Sequence, residues 1–167
     1  GSHSTLYGSS AIGGVINIIT DTKNKTPGIH IDANVKGGVF GNTGSIITEN
    51  VLLNYTHKSG LYVNAEMFNN ISKGYNSTIN TITNPNAYKY PDMSDGFKKN
   101  DLTGKIGYKT KNLDLYTGYK KISQYLDIDD GAFKDDENYT INFDRRLITY
   151  CASYKFNDKF SLRFNGG

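Results

Sequence analysis

The chain has 167 residues, enough for one domain, with 18 Gly, 13 Tyr, 8 Phe, three Pro, one Cys and no Trp, and a net charge of +3 with a mean hydropathy of −0.54. Lysines and carboxylates are intermingled, which excludes a nucleic-acid footprint. The lone Cys151 excludes a disulfide framework and a thiolate metal site. Sparse aliphatic content beside abundant Tyr, Gly, Asn and Thr argues against an ordinary core. It suits many alternating strands, each with one watered face.

Gly1-Ser2-His3 reads as the scar of a cleaved tag (1–3), so the natural sequence is expected to start near Ser4, as an excised piece of a longer protein. Next comes a two-part run. Leu6, Tyr7, Gly8, Ser9, Ser10, Ala11, Ile12, Gly13 and Gly14 form glycine-rich backbone suited to positive φ and close approach. Val15 to Thr20 is a β-branched apolar run broken by Asn17, suited to a buried strand. On residue types alone this is a tight turn feeding a core strand. The order is wrong for a phosphate loop, which follows a strand and opens a helix. Asp21 to Gly28 is a polar linker ending in Pro-Gly.

Period-two alternation then recurs. Ile29 to Val39 sets Ile29, Ile31, Ala33, Val35 and Val39 against His30, Asp32, Asn34 and Lys36, and is long enough to cross a bilayer when tilted. Ser45 to Thr56 and Leu61 to Ile71 read as a hairpin across a turn at 57–60, with Glu49 on the apolar face and Leu52 on the polar one as blemishes. Strands follow at Leu102 to Lys109, Leu113 to Tyr125 and Arg146 to Phe156, and a seventh opens at Phe160. Turns at 40–44, 110–112 and 157–159 are short, whereas 73–100 and 126–145 are long polar excursions. Every second connection is tight and the remaining ones are longer, two of them far longer, which is the pattern of an up-and-down membrane barrel. Aromatics near strand ends (Phe40, Tyr55, Tyr62, Tyr108, Tyr154, Phe156) fit an interfacial girdle, and would equally close the core of a soluble meander.

The run LYGSSAIGGVINIIT, through Leu6, Tyr7, Gly8, Ser9, Ala11, Ile12, Gly13, Gly14 and Asn17, resembles the closing segment of the plug in TonB-dependent outer-membrane receptors. The resemblance implies an all-β antiparallel up-and-down meander forming part of a transmembrane barrel. Residues 4–27 would be the end of the plug, and 28–167 the first seven or so of about 22 strands. It implies energised uptake of a scarce nutrient across a bacterial outer membrane, with the TonB energy-coupling complex and outer-membrane lipid as partners and no enzyme activity. Gly74-Tyr75-Asn76 and Asp95-Gly96-Phe97 are similar to cobalamin (vitamin B12) receptors, making cobalamin the first expected cargo and a ferric siderophore or haem the second.

Asp127, Asp129, Asp130, Asp135, Asp136 and Glu137 crowd one long loop, and Asp92 and Asp95 lie in the other. Such density needs solvent or a hard cation, though the spacing fails as an EF-hand. In the cobalamin-receptor resemblance, calcium ligands fall at Asp95 and Asn76, with Asp129 and Asp130 as partners. No Ser/His/acid set can be assembled from His30, His57 or Cys151. The contrasting expectation is a soluble all-β binding or adhesion module. An open seven-strand sheet is further expected to cover its edges by self-association, by the Val15–Ile19 strand or by detergent.

Overall fold

The computed structural model describes residues 26–41, 44–74, 94–129 and 138–167. It is all-β: one seven-stranded antiparallel sheet in meander order, with β1 Gly28–Phe40, β2 Gly44–Thr56, β3 Leu61–Ser72, β4 Phe97–Lys109, β5 Leu113–Asp127, β6 Thr140–Lys155 and β7 Ser161–Gly166. The sheet is open: among the described residues, β1 and β7 each pair on one side only. The plug-like run Leu6–Asn17 lies outside the described residues.

The alternation expected from the sequence sets the faces. Ile31 pairs with Leu53, Leu53 with Ala65, Ala65 with Gly104, Gly104 with Tyr119 and Tyr119 with Ile148, so these positions share one face. Asn54, Asn64, Lys105, Gly118 and Thr149 line up behind them on the other. Three cross-strand pairs set an aromatic ring over a glycine: Phe40 on Gly44, Tyr62 on Gly107 and Tyr150 on Gly166. Each ring uses the space a Cβ would fill, which pins the local register.

Two long connections are shorter than the sequence suggests. The expected loop 73–100 ends at 96, because Phe97–Asp101 already pairs with Ile122–Leu126. The expected loop 126–145 narrows to 128–139, because Thr140–Arg145 pairs with Ile122–Asp127. Phe97–Asp101 is polar after its first residue, and Thr140–Arg145 places Ile141 and Phe143 on the face that is polar elsewhere in β6, so neither continues the outward apolar period, yet the backbone ladder continues. Lys98 Nζ over the Tyr125 ring (5.8 Å) and Lys99 Nζ over Phe68 (5.6 Å) add cross-strand support.

At the opposite end, the connections 57–60, 110–112 and 156–160 are all tight. Gly60 shows why. At φ +100° it donates to His57 O (3.0 Å) and accepts from Lys109 N (2.8 Å), docking the β2–β3 turn on the end of β4. A Cβ there would strike the Lys109 carbonyl oxygen, which is backbone and cannot swing aside. Gly60→Ala is therefore expected to cost about 2 kcal/mol, read as a lower urea midpoint at unchanged slope.

Candidate functional site

Burial in this sheet is inverted. The large apolar side chains are exposed, among them Ile31 at 65% and Ile148 at 62%, whereas the buried side chains Asn54, Asp101 and Cys151 all belong to the polar face. A sheet that curls toward its polar side crowds those side chains against one another and splays the apolar ones. Among the described residues no second layer covers the apolar face.

The polar face is hydrogen-bonded along its length. Asn50 donates to Glu66 (2.8 Å), Asn64 to Asn54, and Asn70 to Thr48 (3.0 Å). Towards the tight-turn end, Asp114 accepts from Lys109 (3.1 Å) and Tyr62 (3.5 Å), and Lys105 Nζ sits 3.9 Å from the centre of the Tyr116 ring. Asp101 Oδ2 faces Lys99 at 3.5 Å and Lys120 at 3.7 Å. Asn64 Oδ1, Asn70 Oδ1 and Asp101 Oδ1 are buried acceptors with no donor among the described residues, so this side has capacity for donors from whatever fills it. Both lysines facing Asp101 are partly solvated, which limits the strength of the pairing. Asp101→Asn is expected to lower stability by about 1 kcal/mol, less at high salt, checked by urea unfolding at two ionic strengths.

The apolar face carries a band that does not follow the hydrogen-bond rows. Its outward apolar positions run from Ile29 to Val39 on β1 and from Ile47 to Tyr55 on β2, where Glu49 interrupts and is held by Asn69 (2.9 Å). On β3 and β4 they occupy Leu61–Met67 and Leu102–Tyr108, and on β5 and β6 Leu113–Tyr119 and Ile148–Tyr154. The ladder through Asn34, the band's centre on β1, reaches Arg145 on β6, where the centre has moved six residues to Cys151. That is about 20 Å along the strands for about 24 Å across them, an inclination of roughly 40°. With four to six outward positions per strand, the band is about 20–30 Å tall measured across its own direction.

Tyr108, Tyr154, Phe156 and Phe160 edge the band at the tight-turn end, with Phe156 between Tyr154, met edge-on (4.9 Å), and a tilted Phe160 (5.2 Å). Two aromatics expected in that girdle are elsewhere. Phe40 and Tyr62 lie on the polar face, because their partners Gly44 and Gly107 give the rings room there.

The connections 73–96 and 128–139 leave the same end of the sheet, where Asp127 N donates to Gly96 O (2.9 Å). This brings the segments bearing Asp95 and Asp129 to one end, while Asn76 and Asp130 lie outside the described residues. Among the described residues no three His, Cys, Asp or Glu side chains gather in a group able to hold a metal. His30, His57 and Cys151 are not brought together: His57 bonds Ser59 in its turn, and Cys151 is buried in β6. No described helix is long and apolar enough to cross a membrane, which says nothing of strands. The chain matches no protein-family model, no curated protein and no solved structure.

Proposed function

We propose that this sheet is a section of the wall of a transmembrane β-barrel, and that the barrel is an outer-membrane active transporter of the TonB-dependent type. The observation that carries the first half is the inclined apolar band. In a bilayer the band must lie level, so a 40° inclination to the hydrogen-bond rows is a 40° tilt of the strands. Barrel strands tilt about 35–45° and carry an outward apolar belt about 25 Å tall. Tight turns throughout one end, two long connections beside the short 41–43 at the other, and a polar face with spare acceptors agree with a periplasmic rim, an outer rim and a filled lumen.

The second half rests on the resemblance of Leu6–Thr20 to a plug terminus. In this reading the plug leads into β1, and its displacement by the TonB complex opens the path. The cargo is a scarce nutrient carried as a metal chelate, cobalamin before a ferric siderophore or haem. No bond is broken by the protein. Calcium at Asp95 and Asp129 with Asn76 and Asp130 belongs to the same reading, and calorimetry with calcium that gives no heat removes it. The edges of β1 and β7, unpaired among the described residues, call for further strands or another copy, since a lipid-exposed edge leaves polar backbone unsatisfied.

The chain contains no Trp, so single tryptophans report without background. Ile106→Trp is expected to be quenched by bromine on lipid chains and shielded from acrylamide, and Lys105→Trp to show the reverse. Equal quenching of both by acrylamide would favour a soluble adhesion or binding module instead.

A further inference from the structure

Along the outward face the apolar band ends abruptly on β5 and β6. The next outward positions are Lys121 and Arg146, which stand directly opposite one another in the register. Like charges directly opposed across a ladder are destabilising, and among the described residues neither cation has an ion-pair partner within 4 Å. Ion pairs do occur at Lys99, Lys109, Lys120 and Lys155. Arg146 is exposed and Lys121 half-buried. The nearest outward carboxylate, Asp144, accepts from Ser123 Oγ (2.6 Å), and Glu49 accepts from Asn69 (2.9 Å), so both are oriented by neutral donors rather than by the two cations. Exposed Lys98, two rows further out on β4, supplies a third outward cation. Apart from Glu49, which interrupts the band on β2, every charged side chain that a described strand presents outward sits on this long-connection side of the band, and the other side is edged by aromatics.

Directly below the cation pair lie Tyr119 and Ile148, and Leu102 pairs with Lys121. A shallow groove bordered by Asn69, Lys98, Asn100, Tyr125, Asn142 and Asp144 opens directly above. The surface therefore offers, in sequence along the strands, an apolar strip, two directly opposed cations and a hydrogen-bonding groove. We infer that Lys121 and Arg146, with Lys98 behind them, bind the phosphate of an anionic lipid headgroup whose acyl chains lie on the band. The guanidinium and ammonium supply charge-assisted hydrogen bonds to phosphate oxygens, and the groove receives the rest of the headgroup. Relief of the Lys121–Arg146 repulsion makes the site favour anionic over zwitterionic lipid. The inference rests on the outward face being the lipid face, which the tryptophan measurements test separately.

The test uses the full chain folded in neutral detergent micelles, with retained lipid counted by native mass spectrometry. Phosphatidylglycerol is expected to bind at least tenfold more tightly than phosphatidylcholine, with a preference that weakens as salt rises. Lys121→Gln with Arg146→Gln removes the preference. Arg146→Gln alone weakens it, and Arg145→Gln, the same single loss of charge one residue away on the opposite face, retains it. Circular dichroism of each variant verifies that strand content is unchanged. No preference for phosphatidylglycerol, a preference that survives the double substitution, or an equal loss in Arg145→Gln overturns the site. Inorganic phosphate displacing the lipid at equal concentration overturns the lipid as its occupant. If Ile106→Trp contacts lipid while the preference is absent, the headgroup site fails and the wall remains.

Discussion

Ile106→Arg is expected to destabilise the protein by about 2–4 kcal/mol when it is folded in a bilayer, the cost of an arginine near the midplane of a barrel's lipid face. Ile106 lies near the middle of the inclined band on β4, between Gly104 and Tyr108 on the same face, and is 50% exposed in the sheet. If that exposure were to water, the change would fall within the ordinary range of surface substitutions, about ±0.5 kcal/mol. The two environments thus differ severalfold at one position. Thr103→Arg, on the polar face opposite Glu66, is the internal control and is expected to be nearly neutral. Urea unfolding in lipid vesicles, with both variants compared to the parent chain, gives the answer. A neutral Ile106→Arg would remove the lipid from this face and with it the barrel reading.

The alternation made the faces legible before any coordinates. A strand has a period of two, so Ile29, Ile31 and Ala33 could not share a face with His30 and Asp32. What alternation could not carry is the extent of β4 and β6. Phe97–Asp101 has no apolar period to read, and in Thr140–Arg145 the alternating Ile141 and Phe143 fall on the face opposite to Ile148 and Tyr150, so the period breaks phase within β6; the ladder bonds to β5 carry both segments as strand. Net registry between strands was equally hidden. The tilt of the band emerges only when Asn34 is followed through Asn50, Phe68, Asp101 and Ile122 to Arg145, a path set by turn lengths and pairing. The same holds for Lys121 and Arg146, which are unremarkable in sequence and become opposed cations only through the β5–β6 register. Glu49, a blemish in the alternation, is a single polar break in the band on β2, satisfied by Asn69. The candidate calcium residues divide: Asp95 and Asp129 approach one end of the sheet, and Asn76 and Asp130 lie outside the described residues.

Gly107 tests whether the polar face is as closely packed as its hydrogen bonds suggest. It neighbours Ile106 but points to the other side, where it lies opposite Tyr62 in the register. A Cβ at Gly107 would overlap the phenol end of Tyr62 and come within 2.7 Å of the Leu115 carbonyl oxygen. The ring has little freedom to move away, since its hydroxyl donates to Asp114 and Lys105 lies 5.7 Å from its centre. Gly107→Ala is therefore expected to cost about 2–3 kcal/mol, the range for overpacking a close-fitted site, although alanine is no worse than glycine in a strand. Part of that cost belongs to the ring and part to the backbone oxygen. In a Tyr62→Ala background the glycine substitution should cost about 1 kcal/mol less, a coupling that a double-mutant cycle in urea resolves. Strict additivity would mean that the ring does not rest on Gly107, and the aromatic-on-glycine pairing would lose its role in fixing the β3–β4 register. Non-additivity would place Tyr62 among the residues that hold the wall's curvature, on the side opposite the lipid and one residue away from Ile106.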